Sequence, residues 1–220
     1  MQSVLLFSGG LDSRVLLQKL LEDQQEVFCL SIDYGQRHRK ELELAKSVTK
    51  KLGLKHEVVS LSGIHSLISG NALTGTAEVP DGHYQEESMK ITVVPNRNMM
   101  MLSIAIGWAI NLKAQAVSYA AHRGDHSIYP DCRPAFIAKM AELATLCDWH
   151  PVALYTPFSH FSKTMIVQEG ARLNVDFFET WSCYKGLDVH CGTCGTCVER
   201  REAFAEAKIT DPTIYLKRAA

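Results

Sequence analysis

The sequence predicts an α/β protein built on a doubly wound parallel sheet, and three features of the chain predict it. Short apolar runs of strand length alternate with longer segments whose apolar residues recur every three or four positions. The order strand, helix, strand, helix, strand comes at a spacing that calls for right-handed crossovers. The loops richest in polar residues fall just after the expected strands, where a sheet of this kind gathers its ligand site.

Val4-Leu5-Leu6-Phe7 reads as the first strand and Arg14 to Leu21 as the body of the first helix, with Val15, Leu16 and Leu20 at helical spacing. Between them lies Ser8-Gly9-Gly10-Leu11-Asp12-Ser13. Adjacent glycines allow a tight turn whose N–H groups face one centre, and the following helix adds the positive end of its dipole. The loop therefore suits an anion, a polyphosphate before others. Ser8 and Ser13 can add hydroxyl donors, and Asp12 either caps the helix or helps hold a divalent cation against phosphate oxygens. A plain strand-to-helix turn with a polar cap is the other reading. The loop has neither the Gly-Lys-Ser/Thr ending of a Walker loop nor the G-x-G-x-x-G of dinucleotide folds.

Residues 26–32 read as a second buried strand that leaves through Asp33-Tyr34-Gly35-Gln36. Leu42, Ala45, Val48 and Leu52 then form an apolar stripe on a charged helix closed by Gly53, and residues 56–60 give a third strand. Asp33, Tyr34, Gln36, Arg37 and His38 have two readings that pattern leaves level: contacts to a ribose, base, phosphate or carboxylate, or a polar loop with a solvated first turn. From Ser69 to Thr92 periodicity is lost, as in a mobile lid or a disordered excursion.

Residues 99–112 are apolar on nearly all sides and predict a central buried helix, its methionines core packing. Arg97 stands at its N-terminus between Asn96 and Asn98, with Asn98 read as the cap. Residues 114–121 make a fourth strand, whose exit from His122 to Arg133 has the polar density of a substrate loop. His122 and His126 are assigned hydrogen bonding or acid/base work there. Residues 134–147 predict an amphipathic helix with Phe136, Met140, Leu143 and Leu146 facing the core. A fifth strand follows at 152–155, and Ser162 caps the next helix. Lys163 in its first turn is either a phosphate ligand or a solvated side chain, because a helix N-terminus disfavours a cation that faces no anion.

Four of the seven cysteines, Cys183, Cys191, Cys194 and Cys197, crowd near the C-terminus with two-residue spacers and glycines between them. That pattern predicts a structural zinc site with four sulfur ligands, with an iron–sulfur cluster as the competitor. With every position taken by sulfur, the metal staples the tail and does no chemistry. His190 is expected to support the ligands or to be exposed. The chain divides on this reading into an α/β unit, residues 1–180, and a zinc-binding subdomain, residues 181–220.

With 220 residues, 46% of them hydrophobic, the chain can bury one proper core. A formal net charge of −1 gives no electrostatic footprint for nucleic acid, so a small-molecule substrate is favoured. Neither a secretory signal nor a membrane-length apolar run is seen, which places the expectation in the cytoplasm.

Ser8 to Ser13 resembles the S-G-G-x-D-S loop of the N-type ATP pyrophosphatases, which split ATP between its α- and β-phosphates to adenylate a substrate oxygen. Taken with Asp33-Tyr34-Gly35-Gln36-Arg37-His38, Val94-Pro95-Asn96-Arg97-Asn98, Tyr129-Pro130-Asp131-Cys132-Arg133, Thr156-Pro157 and the cysteine knuckle, nearly the whole chain resembles the family of 7-cyano-7-deazaguanine synthases. It departs from many members at Ala120-Ala-His-Arg-Gly-Asp125, at Asn96 and in the Cys183-to-Cys191 gap.

The resemblance implies a Rossmann-like fold of the adenine nucleotide alpha hydrolase type and an ATP-dependent ligase. Its substrates would be 7-carboxy-7-deazaguanine and ammonia, its metals Mg and Zn, and its assembly a homodimer. Phe7, Ser8, Gly9, Gly10, Leu11, Asp12 and Ser13, with Asp33, Tyr34, Gln36 and Arg37, would bind ATP; Asp12, Ser13, Arg97, Asp131, Arg133 and Lys163 would form the catalytic set. Two other readings are a related ligase that joins the acid to a protein or nucleic-acid amine, and a non-catalytic zinc-knuckle binding protein.

Overall fold

The computed structural model describes residues 1–83 and 87–216. Five strands, β1 Gln2–Leu6, β2 Glu26–Asp33, β3 Lys55–Ser60, β4 Ala116–Ser118 and β5 Ala153–Tyr155, form one parallel sheet in the order β3-β2-β1-β4-β5. The helices are α1 Leu11–Glu22, α2 Lys40–Lys51, α3 His65–Ile68, α4 Arg97–Leu112, α5 Pro134–Ala144, α6 Lys163–Arg172 and α7 Gly195–Ala207. The chain winds outward from β1 through β2 to β3, then returns through α4 to β4 and β5 on the other side of β1. Loops leaving β1 and β4 therefore diverge, and a crevice opens between them at the C-terminal edge of the sheet.

Strand alternation puts one core on each face. Val4 and Leu6 of β1 pack with Leu102, Ala105, Ile106 and Ala109 of α4. Leu5 and Phe7 pack on the opposite face with Val15, Leu16 and Leu20 of α1, Ile166 and Val167 of α6 and Phe204 of α7. Covering both faces is why these strands read as unbroken apolar runs. No helix among the described residues is long and apolar enough to cross a membrane.

The structure corrects four local expectations. α4 is not buried all round: Met99, Ser103, Gly107 and Asn111, at i, i+4 spacing, face solvent, because the helix covers only one face of the sheet. In α5 the core side is Ile137, Met140 and Ala144, whereas Leu143 is exposed and Leu146, beyond the helix end, is 76% exposed. Leu52 falls at the C-cap of α2 and leaves the apolar stripe. The stretch after Ser69 is neither lid nor excursion where it is described: Ala72, Leu73, Val79 and Met89 join the α4-side core. Its backbone is held by Asn71, whose amide accepts from the N–H of Leu73 and Thr74 and donates to the Ile68 carbonyl. A segment stabilised by side-chain caps has no periodicity to read. Tyr84, which the same expectation covered, lies outside the described residues together with Gln85 and Glu86.

The C-terminal segment is bound into the same body. Arg200 of α7, with no exposed surface, donates to the Thr180 hydroxyl at 2.8 Å, to the Phe177 carbonyl at 3.0 Å and to Asp211 at 3.3 Å.

Candidate active site

The crevice is a cavity of about 200 Å³. At one end is the glycine loop. Gly9, at φ +86°, packs so closely on α2 that a Cβ there would lie 2.2 Å from the Glu41 carbonyl oxygen. Only glycine fits that approach. The Gly10 N–H donates to the Ser8 hydroxyl at 3.0 Å, and Ser8 and Ser13 exchange a hydrogen bond at 3.1 Å. Among the described residues no side chain caps α1, so its N-terminal dipole is directed at the crevice without a counter-charge on its first turn other than Asp12.

Asp12 does not cap the helix. It takes both oxygens to the Lys163 ammonium, at 2.7 and 2.9 Å, across 151 residues of sequence. Lys163 opens α6 behind its cap, the Ser162 hydroxyl, and also lies 3.4 Å from Glu199 of α7. Burial opposes the charge on Lys163, but Asp12 and Glu199 outweigh it and hold its pKa above the ordinary lysine range. Asp12, which burial alone would raise, is held low by Lys163 and His122. His122 is buried, and its Nδ1 accepts the Gly124 N–H at 3.0 Å. Its Nε2 lies 3.2 Å from the Lys163 ammonium, 3.5 Å from Asp125 and 3.9 Å from Asp12.

The other end is aromatic. Arg97, the first residue of α4, lies over the rings of Tyr34 and Tyr129 at 5.7 and 5.8 Å and donates to the Tyr34 hydroxyl at 3.3 Å. Its Nε is buried without a hydrogen-bond partner, and among the described residues no carboxylate pairs with its guanidinium. Tyr119, Tyr184, Trp181 and Cys132 complete the wall. The N-terminus of α4 that presents Arg97 is capped from a distance: Asp131 accepts the Asn98 N–H at 3.0 Å, and the Asn98 amide donates to the Asp131 carbonyl at 3.3 Å. Asn98 is thus anchored, not the cap, and Asn96 takes the N-cap position in a left-handed conformation.

Behind this wall the four cysteines converge. Cys183, Cys191, Cys194 and Cys197 are buried, with their sulfurs within 4.8 Å of one another, and can hold a metal ion. Backbone N–H groups of Thr193 and Cys194 donate to the Cys191 sulfur at 3.4 and 3.2 Å, the support that thiolate ligands require. His190 is buried, accepts the Ser182 N–H at 3.1 Å and stacks on Trp181. Asp81 ties the knuckle to the preceding long connection through Lys185 at 2.6 Å and Thr193 at 2.5 Å. The knuckle in turn sets two cleft residues. The Trp181 backbone N–H donates to the Gly9 carbonyl at 3.1 Å, and Glu199 follows Cys197 on the first turns of α7.

Residues 2–208 match the family model described as "Queuosine biosynthesis protein QueC". The chain belongs to the QueC family. It is 50% identical to a 7-cyano-7-deazaguanine synthase of Hahella chejuensis, over 97% of this chain and 93% of that one. It is 53% identical to a protein of the same name from Rhizobium rhizogenes, over 98% of this chain and 92% of the other. Among solved structures, an NH3-dependent NAD synthetase of Campylobacter jejuni aligns at 16% identity and a TM-score of 0.48, over 80% of this chain and 65% of that one, a likeness too distant to bear on function.

In this QueC-family chain the crevice gathers Phe7, Ser8, Gly10, Leu11, Asp12, Ser13, Tyr34, Gln36, Arg97 and Lys163 from the residues nominated by sequence. Gln36 is spent on the turn, accepting the Tyr34 N–H and donating to the Ile32 carbonyl. Asp33, Arg37, Asp131 and Arg133 do not line it. Asp33 accepts the Gly35 N–H, Arg37 is exposed and donates to the Gly75 carbonyl, and Arg133 is exposed and donates to the His126 carbonyl at 2.9 Å. Sequence reasoning assigned no site role to Glu41, Tyr119, Tyr184, Trp181 or Glu199, all of which line the crevice. Of these, Tyr184 beside Cys183 and Glu199 close behind Cys197 carried a signal in the chain, their nearness to the cysteine knuckle.

Proposed function

We propose that this cleft converts 7-carboxy-7-deazaguanine and ammonia to 7-cyano-7-deazaguanine in queuosine and related deazapurine biosynthesis. One ATP adenylates the carboxylate, ammonia displaces AMP to give the amide, and a second ATP activates the amide oxygen so that loss of AMP leaves the nitrile. The observation that carries this reading is Arg97: a guanidinium with no carboxylate partner among the described residues, set in aromatic walls and facing the same crevice as the glycine loop. A flat heterocyclic acid satisfies the cation with its carboxylate and the rings with its face.

A carboxylate is a poor electrophile, and adenylation gives it a leaving group. The loop and the α1 N-terminus would hold the departing pyrophosphate, with Ser13 donating its hydroxyl. Lys163 would turn from Asp12 toward phosphate oxygens as negative charge builds there. Asp12 would hold a magnesium ion, which would neutralise charge on the phosphate oxygens. Zinc fits the four buried sulfurs, where it would staple the wall behind Trp181. Asp131 serves at one remove, holding the end of α4 that presents Arg97.

The even charge and the named relatives favour a small-molecule enzyme of the cytoplasm without nucleic-acid partners. The exposed apolar patch of Leu143, Leu146 and Met99 supports a homodimer.

Incubation with ATP, ammonia and the carboxylate is expected to yield AMP and a nitrile by mass spectrometry. ADP without AMP would overturn the adenylation step, and an amide end product would favour the related ligase instead.

A further inference from the structure

We propose that Glu41 is the base that takes protons from the substrate nitrogen, a role that rests on the adenylation reading above. Glu41 lies on the first turn of α2, whose backbone packs directly on Gly9. Its carboxylate lines the crevice beside the glycine loop: a Cβ at Gly10 would come 3.3 Å from its Oε1, and it feels the charges of Arg97 at one end and of Asp12 and Lys163 at the other. An acyl group held at Arg97 and a phosphate held at the loop must meet there.

Among the described residues four acids line the crevice, and three are already engaged. Asp12 is bound through both oxygens to Lys163, Glu199 lies 3.4 Å from the same ammonium, and Asp125 accepts the His122 N–H at 3.3 Å. The Glu41 carboxylate makes no hydrogen bond among the described residues; its ion-pair contact is His38 Nε2 at 3.5 Å. His38, only 2% exposed, leaves its Nδ1 without a partner. Burial, with Arg97 behind it, holds that ring's pKa down at about 3, so His38 is a neutral neighbour and does not quench the carboxylate. Burial pushes the Glu41 carboxyl up to about 8, with Arg97 and Lys163 pulling the other way and Asp12 pushing with it. A base near the working pH suits proton transfer.

The chemistry needs such a group in both rounds. In the first, the ammonia lone pair forms the C–N bond, the C–O bond to AMP breaks with its electrons leaving on the phosphate oxygen, and the surplus N–H proton passes to Glu41. In the second, the O-adenylated amide loses one proton to leave a lone pair on nitrogen. Glu41, its first proton returned to solvent, takes the other, and that N–H pair completes the C≡N bond as the C–O bond to AMP breaks with its electrons leaving on the phosphate oxygen.

Glu41→Gln separates adenylation from proton removal. Exchange of labelled pyrophosphate into ATP, measured with the carboxylate and no ammonia, is expected to stay within about threefold of wild type, while ammonia-dependent amide and nitrile formation falls about 10²-fold or more. Hydroxylamine, whose adduct sheds its proton to water more readily, is expected to restore most of the acyl transfer in the variant. Glu41→Asp, which keeps the carboxyl, should fall between the two. Loss of exchange in step with amide formation, loss with hydroxylamine as deep as with ammonia, or unchanged turnover with ammonia would each overturn the assignment. Absence of exchange in the wild type would instead sink the adenylation reading from which it starts.

Discussion

The two ends of the crevice solve the same problem, a charge near a protein interior, in opposite ways. At the loop end every charge has a protein partner: Lys163 sits between Asp12 and Glu199, and His122 faces Asp12 and Asp125. At the other end Arg97 has two aromatic faces and one phenol. The loop end therefore supplies its own counter-charges before any ligand arrives, and phosphate has to displace an existing carboxylate contact to reach Lys163. The Arg97 end is left for a ligand to complete. Binding energy for an acid is concentrated there, and so is the cost to folding of burying a cation without its counter-ion.

The widest separation between the two ends is expected from Asp12→Asn. Removing that carboxylate should lower AMP formation about 10²- to 10³-fold, the usual scale for one electrostatic contact in a transition state. Metal content, measured by atomic absorption, should stay unchanged because Asp12 touches none of the cysteines. Loss of metal together with activity would show that the two regions are one unit.

At the other end Arg97→Gln should raise the KM for the carboxylate about 10- to 100-fold, with the KM for ATP little changed, since charge-assisted hydrogen bonds contribute about 1.5–3 kcal/mol each. The same variant should melt no lower than wild type, because it removes an unpaired buried cation. A fall in melting temperature would mean that the tyrosine contacts already satisfy the guanidinium.

Between the ends, Glu41 gives a pH signature. Its carboxyl releases its proton near 4.5 when the chain is unfolded and near 8 when folded. Over that interval the folded state binds more protons, so its stability falls as pH rises from about 4.5 to 8. The melting temperature of wild type should drop across this window by a few degrees more than that of Glu41→Gln, and identical slopes would show an ordinary carboxyl. The smallest effect is expected from Arg133→Gln. An exposed arginine that bonds only a loop carbonyl should change kcat/KM by less than about threefold, as surface substitutions usually do.

The chain alone determined the order of strands and helices, the glycine loop and the four-cysteine site. Each is a local pattern: burial on two faces writes itself as apolar period, and ligand spacing writes itself as cysteine spacing. It also suggested that Lys163 needs an anion, because a cation in the first turn of a helix is an anomaly visible in the sequence. Only the tertiary structure decided that the anion is Asp12, that Asp131 caps a helix whose first residue lies more than a helix length before it, and that Glu41 and four tyrosines share a wall with the loop. The same holds for Arg133, which the sequence placed in the catalytic set and the fold turns outward. These pairings run between residues far apart in sequence, and a cleft residue obeys no period. Its orientation is set by how loops from different strands pack at one edge of the sheet, and that information is spread over the whole fold.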